Sequence, residues 1–280
     1  MDKIGRFNRV ADVSKLVGCN TRNVAYRWSI FQDGLKSVPD QGRVLDFGAG
    51  SLRESYDLAL KGYRVTSVDM DEALLLRYAA EYDWPEPKPT LVAGTDPIDS
   101  LKKVADQKFD LITCFDVLEH LEDPAQILRM LRSSMAPGAR MFVTVPNGRT
   151  LFELALRFDL IISRLTKRKL QPGEPHLQRK SPSAWARIIE SAGLKIEAHD
   201  MQIGFLVNTA FALIQVPALL ACRVLRKFGI NIDGARISSR ICNETRMAAL
   251  NQIDIATKPL FSSLYGWNLF VISSAGNNAK

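Results

Sequence analysis

Short apolar segments alternate with stretches of helical spacing through the first two thirds of the chain, and this alternation limits the folds that are open to it. Apolar runs separated by helices are typical of parallel strands joined by crossover helices. Five such segments come first and two follow later: RVLDF (43–47), YRVTSVD (63–69), PTLVAG (89–94), FDLITCF (109–115), ARMFVTVP (139–146), LKIEAH (194–199) and WNLFVISS (267–274). The pattern predicts an α/β protein with a doubly wound, mostly parallel seven-stranded sheet.

Local signals predict where helices begin and end, and together with the strand pattern they divide the chain into four parts. Ser51 and Glu54 form a capping-box pattern, and Asp123 and Ser181 each precede a proline. Glycines at 62, 138 and 193 follow helix-like runs, as C-cap glycines do. We expect an N-terminal helical cover at 1–42, a Rossmann-like core at 43–200, an apolar and basic helical insertion at 201–264, and the last strand with a tail at 265–280.

Charge is unevenly distributed along the chain. The net charge is +7, and residues 151–280 contain 17 Lys and Arg against 9 Asp and Glu, whereas residues 1–150 contain 20 against 21. A basic half indicates a face that meets phosphate, on nucleic acid or on an anionic membrane. The four cysteines lack the spacing of a metal or redox pair, and the charged N-terminus does not resemble a secretory signal. We therefore expect a cytoplasmic protein.

Two glycines follow the first predicted strand, in the stretch DFGAG (46–50). Glycine at positions 48 and 50 removes side chains that would keep a ligand off the backbone, and the following helix start adds exposed N–H donors. The third glycine of a dinucleotide fingerprint would fall at position 53, which is arginine. A ligand lying on this turn is therefore predicted, and a nicotinamide cofactor is disfavoured.

Acidic residues stand at the ends of successive predicted strands. Asp46 ends the first strand and Asp69, 19 residues after Gly50, ends the second. Asp96 follows the third strand and Asp116 the fourth. Because the carboxyl ends of parallel strands meet at one edge of a sheet, these carboxylates are expected to line one crevice.

These motifs resemble those of class I S-adenosylmethionine-dependent methyltransferases. The resemblance covers residues 40–200, and within the family the chain is most similar to the small-molecule methyltransferases related to the ubiquinone-biosynthesis group. It rests on DFGAG (46–50), VTSVDMD (65–71), FDLITCFDVLEHLEDP (109–124) and APGARMFVTVPN (136–147). Many members of the family have a further glycine where this chain has Leu52.

The resemblance implies S-adenosylmethionine as the cofactor and a set of residues that bind it. Gly48 and Gly50 would approach its methionine part, Asp69 would hold the ribose, and Asp96 would lie near the adenine amino group. The complete predicted cofactor site is Asp46, Gly48, Gly50, Asp69, Met70, Asp96 and Asp116.

Methyl transfer from a sulfonium is an in-line displacement with a neutral leaving group, so the protein has mainly to align the reactants, and we predict no metal site. A hydroxyl acceptor would be helped by a base. His120 is the preferred base with Glu119 as its partner, and His176 is the second candidate. His199 is expected to have a structural role.

The predicted insertion contains an uncharged stretch of 20 residues at 203–222. A helix of this length spans about 30 Å, but the last strand must return to the sheet, so a full membrane crossing is disfavoured. With the flanking Arg223, Arg226 and Lys227, residues 203–227 are predicted to contact an anionic membrane surface or to form a lid. Burial in a homodimer interface or in a cap of its own is the alternative.

We therefore expect a methyltransferase for a small-molecule or lipid-linked acceptor, acting on oxygen, in the cytoplasm at the inner face of a membrane. A nucleic-acid methyltransferase is the main rival because of the basic half, although no N-P-P-Y or D-P-P-Y segment follows the fourth strand. A nicotinamide oxidoreductase and a non-catalytic, membrane-associated protein that kept the fold are the other readings.

Overall fold

The computed structural model describes residues 38–150, 176–202 and 265–274, together with single positions at 35, 153, 205–206, 209, 213, 221, 253–254, 256–257 and 260. The helical cover predicted at 1–42 and the insertion predicted at 201–264, including 203–227, therefore lie almost wholly outside the described residues. Two compact units share the chain: residues 31–145, 176–200 and 268–280 form one, and residues 1–30, 146–175 and 201–267 form the other. Among the described residues, we find no helix with the length and apolar character needed to span a bilayer.

The described residues include seven strands, five α-helices and a 3₁₀ turn whose bounds are defined, besides single helical positions. In chain order these are β1 (Arg43–Phe47), α1 (Arg53–Leu60), β2 (Arg64–Asp69), α2 (Glu72–Ala79), β3 (Thr90–Ala93), α3 (Pro97–Lys102), β4 (Phe109–Phe115), the 3₁₀ turn (Leu118–His120), α4 (Pro124–Ser133), β5 (Met135–Pro146), α5 (Pro182–Ser191), β6 (Leu194–Gln202) and β7 (Trp267–Ser274).

The strand order places β1 and β4 side by side near the middle of the sheet. The order is β3-β2-β1-β4-β5-β7-β6, and β3, β2, β1, β4 and β5 pair in parallel. The direction of winding reverses between β1 and β4, which is where ligand crevices open at the carboxyl ends of such sheets. The predicted α/β class and the seven predicted strands are confirmed.

Apolar side chains of the strands and of the inward helix faces form the core. α4 buries Ile127, Leu128 and Leu131 along one stripe, and α5 buries Trp185 and Ile189. Removing a large apolar side chain of this kind from water stabilises the fold by about 1.5–3 kcal/mol. The helices therefore hold the strand ends at fixed positions, which matters for the site built there.

Two of the predicted helix starts are confirmed, and one is wrong. The Asp123 side chain accepts a hydrogen bond from the Gln126 amide, and the Ser181 hydroxyl accepts one from the Ala184 amide. α1 instead begins after Leu52, which has a left-handed φ of 57° and caps the helix without a side-chain hydrogen bond. The completely buried Leu52 side chain, rather than the Ser51 hydroxyl, sets the chain direction there.

Helix ends follow the predicted glycines in part. Gly62 and Gly193 follow α1 and α5 with φ values of 87° and 74°. Gly138 also has a positive φ, 79°, but it lies inside β5, after α4 has already ended at Ser133. Its prediction as a helix cap is therefore wrong, because β5 begins earlier than its apolar segment indicated.

Candidate active site

The turn after β1 is held by the neighbouring strand β2. The amides of Gly48 and Ala49 both donate to the Val68 carbonyl, at 2.8 and 3.1 Å. Gly48 has a φ of 72° and Gly50 a φ of 47°, in the left-handed region that glycine reaches most easily. The backbone therefore turns sharply at the carboxyl edge of the sheet.

Gly48 and Gly50 differ in the space that surrounds them. A Cβ atom at Gly48 would lie 2.2 Å from the Cγ2 atom of Val117, so this position is closed by the protein itself. A Cβ atom at Gly50 would meet nothing nearer than the Gly48 carbonyl oxygen at 3.9 Å. The open space that a ligand needs beside the turn is therefore found at Gly50, whereas Gly48 allows the turn to pack on the segment after β4.

Asp69, at the end of β2, joins this turn to the start of the next loop. Its Oδ2 atom accepts a hydrogen bond from the Gly50 amide at 2.8 Å, and its Oδ1 atom accepts one from the Asp71 amide at 3.0 Å. Each carboxylate oxygen has a further lone pair, so the group can accept ligand hydroxyls while these bonds persist. Met70, the next residue, is 47% exposed and offers an apolar surface beside the carboxylate.

Asp46 lies in the interior and not on the crevice surface. Only 3% of the residue is exposed, and its two oxygens accept hydrogen bonds from the hydroxyls of Ser55 at 2.6 Å and Thr113 at 2.7 Å. The Ser55 hydroxyl also contacts the Ser67 hydroxyl at 2.7 Å. Burial, with repulsion from Glu54 next, raises the pKa of Asp46 to about 6. This carboxylate links α1 to β4, and its contact with a ligand stays a prediction.

Asp116 and Asp96 stand at the ends of β4 and β3 in different settings. Asp116 has a left-handed φ of 58°, and its amide donates to Thr144, whose hydroxyl donates back to Asp116 Oδ1 at 2.7 Å. The Asp96 carboxylate caps α3, because Oδ1 accepts the amides of Ile98 and Asp99 at 2.8 and 2.9 Å. A contact of either residue with the cofactor stays a prediction.

Glu119, His120 and His176 lie together beyond the end of β4. Glu119 and His120 belong to the 3₁₀ turn, and Glu119 Oε1 lies 4.0 Å from His120 Nε2. The rings of His120 and His176 meet edge to face, with their centroids 5.0 Å apart. Glu119 is buried, with 1% of the residue exposed, and both imidazoles are half-buried. The structure thus brings the three predicted catalytic residues into one cluster.

Backbone hydrogen bonds attach the segment of His176 to this turn. The amides of Leu177 and Gln178 both donate to the Glu119 carbonyl, at 2.8 and 2.9 Å. The Gln178 side chain donates to the carbonyls of Leu121 and Glu122, at 3.1 Å each. Two chain segments that are far apart in sequence are therefore fixed against each other at the cluster.

His199 has the structural surroundings that the sequence predicted for it. Its Nε2 atom lies 3.0 Å from Asn268 Oδ1, and its ring stacks on Phe270 with a centroid distance of 4.5 Å. These partners belong to β7, next to β6 in the sheet.

Several residues that shape the site escaped sequence reasoning. Val117 closes the space at Gly48, Thr144 holds Asp116, and Ser55 and Thr113 hold Asp46. The one available signal was a threonine inside each of two apolar strands, β4 and β5, because a buried hydroxyl needs a hydrogen-bond partner. Nothing in the local sequence pointed to Val117.

The residues at this edge fit an adenosyl ligand of the kind that the motifs imply. Gly50 leaves open space against the backbone, Asp69 provides hydroxyl acceptors at the rim, and Met70 provides an apolar face for a flat base. The cluster of Glu119, His120 and His176 follows the adjacent strand β4.

Comparison with known proteins identifies the family of the chain. Residues 22–199 match a family model described as a methyltransferase domain. A ubiquinone biosynthesis O-methyltransferase from Pseudomonas putida (strain W619) is 28% identical over 156 residues, which cover 55% of this chain and 65% of that protein. The protein of the same name from Xanthomonas axonopodis pv. citri (strain 306) is 30% identical over 167 residues, which cover 57% and 65%. The chain thus spans less than two thirds of the length of these relatives.

A solved structure agrees in fold. The methyltransferase from Thiobacillus denitrificans, in complex with S-adenosyl-L-homocysteine, has a TM-score of 0.51 at 15% identity, covering 88% of this chain and 90% of that one. At this identity the likeness shows the fold alone. The family model matches more than half of the chain, including the glycine turn, β2 and the cluster after β4. The chain therefore belongs to the class I S-adenosylmethionine-dependent methyltransferase family.

Proposed function

We propose that this protein transfers a methyl group from S-adenosylmethionine to an oxygen atom of a small-molecule or lipid-linked acceptor. The observation that carries the proposal is that the open turn at Gly50 follows β1 and Asp69 ends β2, while the cluster of Glu119, His120 and His176 lies beyond the end of β4, the other neighbour of β1. The names of the O-methyltransferase relatives support oxygen as the methylated atom and a small molecule as the acceptor.

The bound cofactor supplies a methyl group on a positively charged sulfur, which an oxygen nucleophile attacks in line. Gly50 would let the cofactor approach the backbone, Asp69 would accept hydrogen bonds from its ribose hydroxyls, and the exposed Met70 side chain would offer an apolar surface to its adenine. The imidazole of His120 takes the proton of the acceptor hydroxyl, and the adjacent Glu119 carboxylate orients that ring.

Calorimetric titration with S-adenosylmethionine and with S-adenosylhomocysteine tests the cofactor part. Asp69→Ala removes charge-assisted hydrogen bonds of about 1.5–3 kcal/mol, so the affinity should fall by about 10- to 100-fold. Asp71→Ala is the matched control, since that carboxylate caps α2 two residues further on. If the wild-type protein is folded and binds neither compound, or if both variants bind as the wild-type protein does, the proposed cofactor site is wrong.

Turnover is tested separately, because a protein with this fold can bind the cofactor without transferring methyl groups. Cell extracts incubated with the protein and methyl-labelled cofactor, followed by mass spectrometry, should reveal a labelled acceptor. His120→Ala should lower turnover with little change in cofactor affinity. Turnover at the wild-type rate in this variant would exclude His120 as the base.

We base the proposal of a lipid-linked acceptor at the inner face of the membrane on residues 203–227, in which Arg223, Arg226 and Lys227 follow the uncharged stretch 203–222. The protein should sediment with phosphatidylglycerol vesicles and stay in solution with phosphatidylcholine vesicles. Replacing the three basic residues with glutamine should weaken this binding. The alternative is that residues 203–227 are buried in a homodimer interface. Failure to bind either kind of vesicle, together with a dimer mass in analytical ultracentrifugation, would favour this alternative.

A further inference from the structure

We propose that Glu119, His120 and His176 form a binding site for a divalent transition-metal ion. From the sequence no metal site was predicted, because methyl transfer from a sulfonium does not require one. His176 lies 56 residues after His120, so the spacing of these residues gives no sign of a shared site. In the folded chain each of the three residues offers a ligand atom, and these atoms all lie within 4.8 Å of one another.

The ligand atoms lie within 4.8 Å of one another, so they must draw together by up to about 1.4 Å to coordinate one ion. With metal–ligand distances of about 2.0–2.2 Å, the ligand atoms of a tetrahedral site stand about 3.4 Å apart. Glu119 Oε1 and His120 Nε2 are 4.0 Å apart, so a displacement of about 0.6 Å brings them to this distance. The two half-buried imidazoles can make such adjustments by rotating about their side-chain bonds.

The cluster is preorganised by the backbone around it. The Glu119 carboxylate is buried, and the Glu119 carbonyl accepts two amides from the residues that follow His176. The Gln178 side chain adds two bonds to the same loop. A site whose ligands are already held in place loses little conformational entropy when the ion binds.

The ligand set indicates the class of ion. Two imidazoles and one carboxylate suit Zn²⁺, Fe²⁺, Co²⁺ and Mn²⁺, and three protein ligands leave at least one position open. An anionic carboxylate with two neutral imidazoles leaves a net positive site when a divalent ion is bound.

The open position connects the ion to the methyl transfer, and this step rests on the proposed function. An acceptor hydroxyl bound there has a lower pKa and loses its proton to solvent. The oxygen–methyl bond then forms as the sulfur–methyl bond breaks, and neutral S-adenosylhomocysteine leaves. With the ion bound, His120 is a ligand and the ion activates the acceptor hydroxyl. In the metal-free protein the His120 imidazole takes the proton, as in the proposed function.

Metal binding is measurable without any methyl acceptor. Tag-free protein stripped with a chelator is dialysed against Zn²⁺ or Mn²⁺, and the bound metal is measured by mass spectrometry, while Co²⁺ titration reports coordination through its visible absorption. We expect a single ion per chain. Glu119→Gln and His176→Gln should each weaken binding by at least about 10- to 100-fold. His199→Gln, which removes an imidazole outside the cluster, should bind as the wild-type protein does.

The outcomes separate this inference from the proposed function. If none of the three ions binds, or if His176→Gln binds as tightly as wild-type protein, the metal site is wrong, even where calorimetry shows cofactor binding. If the ion binds and the cofactor does not, the metal site stands and the proposed function fails. His176→Gln keeps the test decisive where Glu119→Gln does not fold, because His176 is only half-buried.

Discussion

Replacing Asp46 with asparagine should make the protein more stable at neutral and alkaline pH. The carboxyl group is buried and its pKa is raised from 3.8 to about 6, chiefly by burial. Between these values the folded protein holds a proton that the unfolded chain has released, so the free energy of unfolding falls as the pH rises through this window. Above about pH 6 the folded state carries the whole penalty of the buried charge.

The size of the effect follows from the two pKa values. At about 1.36 kcal/mol per pKa unit, the interval from 3.8 to about 6 amounts to about 3 kcal/mol at pH 8. Asparagine cannot ionise and has nearly the same shape, so this penalty is absent in Asp46→Asn. The amide can donate to the Ser55 hydroxyl, because the Ser55 and Ser67 hydroxyls are close enough for either to donate to the other.

Urea unfolding followed by circular dichroism, at intervals from pH 4 to pH 8, measures the effect. The stability of Asp46→Asn relative to the wild-type protein should rise from pH 4 to pH 8 by about 2.5 kcal/mol and level off above pH 7. Curves that run parallel for the two proteins would refute the reasoning. Loss of cofactor affinity in a stable Asp46→Asn variant would support the contact with the cofactor that the sequence predicted.

Four further substitutions test other parts of the structure. Gly48→Ala should lower the free energy of unfolding by about 2–5 kcal/mol, because its Cβ would collide with Val117 at a positive φ. Gly50→Ala should lower it by only about 1–2 kcal/mol and should mainly weaken cofactor binding. Urea unfolding and calorimetry measure the two effects, and equal losses of stability in the two variants would contradict the assignment. The hydrogen bond from the Thr95 amide lowers the pKa of Asp99, so the ionised carboxylate stabilises the fold above about pH 4 and this stabilisation is lost as the pH falls through the native pKa. Asp99→Asn should therefore lower the free energy of unfolding above about pH 4 and leave it unchanged at lower pH. Urea unfolding at several pH values measures this, and a stability difference that grows toward acid pH would contradict it. Asp123→Ala should lower the thermal stability by about 1 kcal/mol through loss of the α4 cap, and an unchanged melting temperature would show that the cap is not needed.

Local signals in the sequence predicted the regular structure well. The seven strands lie where the apolar segments are, because strands buried on both faces need such runs. The caps at Asp123 and Ser181 were predicted because each depends on atoms within three residues. The cap at Ser51 failed because the buried side chain of Leu52 sets the geometry there, and burial depends on the rest of the fold.

The functional site was predicted in its residue types and only partly in its geometry. Asp69 lies at the end of β2 and accepts the Gly50 amide, as the sheet topology leads one to expect, and its contact with a ribose stays a prediction. Asp46 looked equivalent in sequence, yet hydroxyls from α1 and β4 enclose it. The sequence predicted that Gly48 contacts the ligand, whereas in the structure the space beside Gly48 is filled by Val117.

The sequence by itself determined the secondary structure, the family and the residues available for chemistry, because these depend on side-chain type and on short spacings along the chain. The tertiary structure alone decided which of those residues meet. Parallel pairing of β1 with β4 brings Gly48 against Val117, and hydrogen bonds to the Glu119 carbonyl bring His176 beside His120. Distances between residues far apart in sequence are set by strand order and packing, which no local pattern encodes.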